Sequence, residues 1–426
     1  MNRKSLLVFF ISLIVGFFIL FGRNYYENKT GEKKSAWNII ELQEGDSKNF
    51  FDRGLAISQG RHYYAGCESA PVVAFFRPPV YPFFLALIFL IFGVSFKAII
   101  IVQLIIASLI VLEIFLIARL IFDEKTAVVS AVLANLYYPM WNDAMVVNSE
   151  LLSMYLGLSA LFFILRAYKS GVFSVKLLIL SGIFTGLASL TRGQFFFYSI
   201  LYILFFYLYA GDGIKARVTK FLIWFGFVLI PIFLWSFYAY ISADLLIFIS
   251  SQGALSVWWG WSPLVVLEQK YPVWNSTWDT GFINDDMIGT YLPIKSSFWF
   301  LNEAINFIVK YPLESLKIAY FKILDTWGFF DLYSSTSIAA KIFKIVKLNW
   351  DFFLAIPGFF ILWKQSEKKY FAVYVLLSCI LFTAIGLMTA ALIRYRIPYL
   401  DPLFVILASV TVYRIYSFFF LKKSKV

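Results

Sequence analysis

The chain has 426 residues, of which 61% are hydrophobic and 15% charged, against about 25% charge in an ordinary soluble domain, so an aqueous globular protein is excluded. Its formal net charge of +12 does not point to nucleic acid, because the basic residues fall in short stretches between apolar segments, the pattern of cytoplasmic loops in a multi-pass membrane protein. Cys67 and Cys379 make neither a disulfide framework nor a zinc site.

The expected fold is all-α, a polytopic bundle of about ten transmembrane helices with juxtamembrane helices in two large extracytoplasmic loops. Residues 5–22 are long and apolar enough to cross a bilayer, follow Arg3 and Lys4, and reach Arg23 without a small-residue cleavage pattern. That predicts a retained signal anchor with a cytoplasmic N-terminus. A first outer loop, 23–97, carries Asp46, the run Phe76-Arg77-Pro78-Pro79 and an apolar stretch at 80–93. About 14 residues reach only about 21 Å as a helix, against a hydrocarbon core of about 30 Å, so this stretch is read as a juxtamembrane or re-entrant helix.

Crossings are expected at 98–118, 126–141, 148–169, 176–191, 194–210 and 221–241, completing a membrane module of 1–241. They deliver Arg119, Lys125, Arg166, Lys169, Lys215, Arg217 and Lys220 to the cytoplasm. A second extracytoplasmic region, 242–348, is rich in tryptophan. Within it Leu313, Leu316, Tyr320, Ile323 and Trp327 recur at helical spacing, with Glu314, Lys317 and Lys322 on other faces. An amphipathic helix lying in the membrane interface after Pro312 is the expectation. The C-terminal region, 349–426, holds crossings at 349–363, 370–391 and 398–419 and ends in Lys422-Lys423-Ser424-Lys425, so both termini are expected in the cytoplasm. The spans are almost free of midplane charge and show no repeat, which argues against a transporter or flippase.

The ordered motifs are Gly45-Asp46-Ser47, Ala56 with Gly60, Arg77-Pro78-Pro79-Val80-Tyr81-Pro82, Asn148-Ser149-Glu150, Gly182 to Arg192, Trp258-Trp259-Gly260 and Arg394-Tyr395-Arg396-Ile397-Pro398. Together they resemble the GT-C superfamily of polyprenyl-phosphate-sugar glycosyltransferases, in the branch of lipid A aminoarabinose transferases and protein O-mannosyltransferases. The chain departs from the family pattern at Ser47 and Phe50, where relatives often carry a second acid and a tyrosine.

The resemblance implies a cell-membrane glycosyltransferase with an extracytoplasmic site. A polyprenyl-phosphate-linked sugar would be its donor, and the hydroxyl of a cell-envelope glycolipid, glycan or protein its acceptor. The alternatives are an O-antigen ligase or polymerase, or a lipid-linked sugar transporter. Asp46 matches the aspartate that serves as base toward the acceptor hydroxyl, a role that needs a carboxylate within hydrogen-bond reach; it also precedes a helix-like segment ending at Gly60 and could be an N-cap. Arg77, stiffened by Pro78 and Pro79, is expected to hold the donor phosphate, with Arg394, Arg396 and Arg192 completing the clamp or anchoring span ends by snorkelling. Glu150 is either a dipole-favoured first-turn acid or a ligand of the sugar, of Asp46's network or of a divalent cation. No motif requires a cofactor, and a divalent cation is left open. The lone His62 is read as a loop residue, Trp258, Trp259 and Trp261 as interfacial belt, and Asn28 and Asn275 as sequons of chance origin.

Overall fold

The computed structural model describes residues 3–30, 45–170, 174–208, 213–268, 271–273, 297–329 and 337–421, and no strand occurs among them. The Asn275 sequon and the Lys422 to Lys425 tail lie outside the described residues. Among the described residues, seven helices are individually long and apolar enough to span a bilayer. They are α1 (Arg3–Thr30), α4 (Phe96–Ile121), α7 (Glu150–Lys169), α11 (Ile214–Ala243), α16 (Ile338–Trp363, spanning from Lys344), α17 (Lys369–Met388) and α18 (Asp401–Tyr416, whose span runs on to Phe420). Between them lie α2 (Gly45–Ser58), α3 (Val80–Phe92), α5 (Glu124–Leu136), α6 (Tyr138–Asp143), α8 (Val175–Ser189), α9 (Gln194–Ser199), α10 (Ile203–Leu208), α12 (Gly253–Gly260), α13 (Pro263–Glu268), α14 (Ser297–Lys310) and α15 (Pro312–Thr326). The protein is a multi-pass all-α membrane protein.

Three expected crossings are shorter or broken. The segment 126–141 is α5 followed by α6, interrupted at Tyr137, where ψ is 86° and Pro139 brings no N–H to continue the helix. The segment 176–191 is the 15-residue α8, and 194–210 is split into α9, a 3₁₀ turn and α10. The stretch at 80–93 is the 13-residue helix α3, with Leu87, Leu90 and Ile91 exposed and Tyr81, Leu85 and Ile88 buried.

Small residues bring the helices together. A Cβ on Gly182 would lie 2.6 Å from the Trp224 carbonyl oxygen, and one on Gly186 2.5 Å from that of Val228, so α8 and α11 touch backbone to backbone. Gly54 does the same for α2 on α3, and Gly358 packs α16 onto the Leu407 carbonyl of α18. One correction concerns midplane charge. Glu113 lies well inside α4 and accepts from Ser159 Oγ, near the middle of α7.

The connectors α4–α5 and α16–α17 meet at one end of the bundle. There Lys4 pairs with Glu124, Lys368 lies 5.7 Å from the Phe122 ring and Lys169 5.3 Å from the Tyr370 ring. The candidate site forms at the other end.

α2 ends as its sequence requires. Gly60 has φ 71°, the Gly60 N–H donates to the Ile57 carbonyl and the Arg61 N–H reaches back to that of Ala56, a Schellman closure.

Gly358 and Gly226 test the close packing. Gly358→Ala is expected to lower the thermal midpoint of the detergent-solubilised protein, since overpacking costs about 1–3 kcal/mol. Gly226 has nothing within 4 Å of its Cβ position, so Gly226→Ala should leave the midpoint unchanged or slightly raised; equal effects at both positions would contradict the packing.

Candidate active site

The loop between α1 and α4 is fixed before any charge meets another. Arg53, 8% exposed, donates to the Tyr63 and Ala65 carbonyls at 2.9 Å each and to Cys67 Sγ at 3.4 Å, folding the chain after α2 back on itself. The buried Tyr63 hydroxyl then donates to the Arg77 carbonyl at 2.9 Å. Ser251, between α11 and α12, holds the same stretch through the Phe75 and Val72 carbonyls, and the Val80 N–H reaches Leu190 at the end of α8. Pro78 and Pro79 have no N–H to give. Arg77 therefore leaves a pinned backbone, with its guanidinium 4.6 Å from the Phe76 ring and 5.5 Å from that of Phe50. Phe50, where relatives often carry tyrosine, is part of this floor.

Asp46 lies in the first turn of α2, and no N-cap bond from it is seen among the described residues. Its carboxylate is shared instead by two guanidiniums: Arg77 Nη2 pairs with Oδ1, and Arg394 Nη2 stands 3.1 Å from Oδ2. Two of the four arginines expected to hold a phosphate thus converge on the carboxylate expected to act as base. Each retains a buried Nε–H without an acceptor. Asp46 is about a third exposed, Arg394 more so and Arg77 less.

Glu150 opens α7, 1% exposed, with Arg192 Nη1 2.6 Å from its Oε1. The N–H direction does not complete a hydrogen bond, so both Glu150 oxygens keep acceptor capacity. Arg192 also lies 3.4 Å from Ser149 Oγ and over the Tyr395 ring at 5.0 Å, and Arg394 faces the same ring at 5.4 Å. The two ion-pair groups are electrostatically one. Burial pulls the Arg394 pKa down, but Tyr395, Glu150 and Asp46 outweigh it and raise the group above its ordinary value. Burial lowers Arg77, with Arg192 and Arg394 adding to the effect and Asp46 and Tyr395 opposing it.

Two participants escaped sequence reasoning. Asp143, at the end of α6, has a buried Oδ2 without a hydrogen-bond partner; burial first and then the charge on Glu150 push it well toward the neutral acid. Its signal was a carboxylate at the end of an expected span, a few residues before Glu150. Tyr395, between the two quoted arginines, is the aromatic post against which Arg192 and Arg394 rest. The guanidiniums of Arg77, Arg192 and Arg394 thus gather at one end with the carboxyl groups of Asp46, Glu150 and Asp143.

Arg396 is a correction. It is 1% exposed and turned away from Asp46. Its Nε donates to Asp401 at 2.5 Å, Nη1 to Asn349 and to the Trp327 carbonyl, and Nη2 to the Leu348 carbonyl at 3.0 Å. A guanidinium so occupied is a strut between α16, α18 and the end of α15, and is not available to a donor phosphate. Trp258 is also placed differently from the expected belt: it is 7% exposed and packs on Trp299 and Phe300 in a small core beneath Phe76. His62 stacks on Tyr64 in the loop, as a loop residue would.

The all-helical multi-pass bundle that gathers these acids and arginines at one end has the fold of a solved archaeal oligosaccharyltransferase. Residues 76–239, from Phe76 through the Glu150–Arg192 pair, match the family model of dolichyl-phosphate-mannose-protein mannosyltransferase. No relative among curated proteins matches the sequence.

Among solved structures, 99% of the chain aligns with the archaeal oligosaccharyltransferase AglB from Archaeoglobus fulgidus in complex with an inhibitory peptide and a dolichol-phosphate, at 14% identity and a TM-score of 0.57. The Archaeoglobus fulgidus oligosaccharyltransferase complexed with Zn and sulfate aligns with 97% at 13% identity and a TM-score of 0.51. The chain covers 51% and 50% of those two chains, about half their length. ArnT from Cupriavidus metallidurans bound to undecaprenyl phosphate aligns with 97% of the chain and is covered to 77%, at 13% identity and a TM-score of 0.42.

Among the described residues no group of three His, Cys, Asp or Glu side chains converges as metal ligands would.

The strut and the site make different predictions. Arg396→Met should abolish recovery of folded protein, because it leaves Asp401 charged and buried at a cost of about 3–5 kcal/mol. Arg394→Met, at a half-exposed position, should leave monodisperse protein of near-normal thermal midpoint in detergent; the reverse pattern would exchange the two roles.

Proposed function

We propose that the chain is a membrane glycosyltransferase that moves a sugar from a polyprenyl-phosphate carrier to a hydroxyl group on the extracytoplasmic face. The observation that carries the reading is the pair of buried Nε–H groups without acceptors on Arg77 and Arg394, the two guanidiniums that hold Asp46. Each arginine touches Asp46 through Nη2 and has an Nε–H to offer another anion, and a phosphate oxygen is an acceptor that such a donor binds well. A carboxylate has about four acceptor sites, so Asp46 can still accept from a hydroxyl while both arginines stay in place.

The reaction follows from that geometry. The acceptor O–H gives its proton to Asp46, its oxygen bonds to the anomeric carbon, and the bond from that carbon to the phosphate oxygen breaks, its electron pair leaving with the phosphate. Arg77 and Arg394 stabilise the charge gathering on that oxygen. Displacement from the face opposite the leaving group inverts the anomeric centre. Glu150, with acceptor capacity beside Arg192, is suited to the donor sugar's hydroxyls. The acceptor proposed is a cell-envelope glycolipid or glycan, with a protein as the other class.

Transfer from radiolabelled polyprenyl-phosphate sugars in proteoliposomes is the test. Asp46→Asn should lose about 10²- to 10⁴-fold in transfer, the usual contribution of a positioned base, with folded protein retained. Arg77→Lys should also lose most transfer despite keeping its charge, because an ammonium has no Nε edge. Wild-type turnover by Asp46→Asn would remove the base assignment, and wild-type dependence on donor concentration in Arg77→Lys would move the phosphate elsewhere.

The gathering of the basic connectors opposite the site supports an extracytoplasmic site and cytoplasmic termini. Cys67 should therefore react with a membrane-impermeant thiol reagent in intact cells, and Cys379, within α17, should not. Labelling of Cys67 only after permeabilisation would invert the orientation.

A further inference from the structure

The end of the bundle away from the site gathers three lysines that no carboxylate neutralises. α17 begins there, with Lys368 as its N-cap residue, no side-chain capping bond and no acid in its first turn. The positive end of a helix of 20 residues is thus left open. Lysines meet it from separate directions. Lys368 Nζ is 5.7 Å from the Phe122 ring in the α4–α5 connector, and Phe122 packs edge-on against Phe371 of the first turn at 6.4 Å. Lys369 Nζ lies 4.7 Å from the Trp363 ring of α16, and Lys169, the last residue of α7, has its Nζ 5.3 Å from the Tyr370 ring.

The acids nearby are engaged elsewhere. Asp123 caps α5 by accepting from the N–H and hydroxyl of Thr126, and Glu124 is paired with Lys4. Glu367, just before the N-cap residue, is exposed and forms no ion pair among the described residues. The three ammoniums rest on aromatic faces instead, which hold the side chains in place without cancelling their charge.

A second observation points to a ligand. Tyr370, in the first turn of α17, is 7% exposed and its hydroxyl has no hydrogen-bond partner. A buried donor is rarely left so, because its desolvation is offset only by a bond. The ring is 5.1 Å from that of Tyr168, the neighbour of Lys169 in sequence, so the hydroxyl and the α7 ammonium belong to one crevice between α7 and α17.

We propose that this crevice binds the phosphate of an anionic membrane lipid, with Lys169 and Lys368 flanking it, the open end of α17 facing it and the Tyr370 hydroxyl donating to it. Phosphate suits the place because its oxygens accept from several donors at once and its charge is favoured at a helix N-terminus. What adjoins the lysines selects a lipid over a soluble phosphate. Phe360 and Trp363 near the end of α16 are exposed at 58% and 38%, and Leu376 and Ile380 of α17 at 40% and 57%, all on helices long and apolar enough to span. A phosphate carried on acyl chains reaches lysines at the ends of such helices without leaving the bilayer surface. The assignment does not depend on the reading of donor or acceptor, since it concerns the end opposite Asp46.

Native mass spectrometry of the detergent-solubilised full chain tests it, with phosphatidylglycerol and phosphatidylcholine of identical acyl chains as lipid probes and inorganic pyrophosphate as the soluble one. Phosphatidylglycerol should be retained in preference to phosphatidylcholine. Combining Lys169→Gln with Lys368→Gln should lower its retention about 20- to 30-fold, each lysine at an anionic lipid surface contributing about a factor of five. Lys215→Gln, which removes the same charge from the start of α11, should leave the preference intact. Tyr370→Phe should weaken retention severalfold yet keep the thermal midpoint of the lipid-free protein, because the hydroxyl has no bond to lose. Equal retention of the two lipids, or a preference that survives the double variant or is undiminished in Tyr370→Phe, would overturn the site. Loss of the preference in Lys215→Gln would overturn it in favour of a diffuse field, and displacement of the lipid by an equal concentration of pyrophosphate would make soluble phosphate the ligand.

Discussion

The site end of the bundle depends on one buried guanidinium. Arg396 is bonded to Asp401 at the start of α18, to Asn349 and Leu348 in α16 and to the Trp327 carbonyl after α15. At that depth no water is at hand to replace a missing partner, so a charge is tolerated only when its hydrogen-bonding directions are met internally. The strut fixes the end of the 3₁₀ turn Ile393–Tyr395, and with it Arg394 and Tyr395. Asn349 has helix-breaking angles, φ −129° and ψ 16°, at the point where its side chain meets Arg396, which gives the kink in α16 an identifiable cause.

Around that fixed turn the site is assembled from pieces distant in sequence. Asp46 comes from the first helix of the outer loop, Arg77 from a proline-stiffened run, Glu150 from the opening of α7, Arg192 from beyond α8 and Arg394 from between α17 and α18. None is a strong charge by itself at the membrane boundary. Together they form an arrangement in which Asp46 is flanked by two guanidiniums and Glu150 meets a third, all held in orientation before any ligand arrives.

Much of this was legible in the sequence, for uneven reasons. Apolar length located seven spans because burying a helix in lipid demands it, and the demotion of 80–93 rested on the same arithmetic. Periodicity identified α15, and its stripe does face outward, but Lys322 was assigned to a polar face and is buried: two backbone carbonyls and the Trp261 ring, 4.3 Å away, supply what water would have. The arginines were found by residue type and order, which carry no information on direction. Arg394 and Arg396 are two apart in sequence, yet one faces Asp46 and the other the interior. Asp143 was missed because an acid at a span end resembles any other interfacial acid until the partners around it are known.

Gln103 carries a consequence of a different kind. This side chain, 1% exposed within α4, accepts from Tyr81 at 2.7 Å and donates to the carbonyls of Ala144 and Val146 at 3.0 and 2.9 Å. Tyr81 opens the helix that follows the arginine run, and the two carbonyls belong to the loop that leads to Glu150. One amide therefore sets the spacing between the two halves of the charged cluster from inside a helix that contributes no charge to it. The loop between α1 and α4 is for that reason not a module that could be exchanged alone: a graft from another protein would carry Arg77 with it but would register against Glu150 only if α4 offered the same amide at the same height.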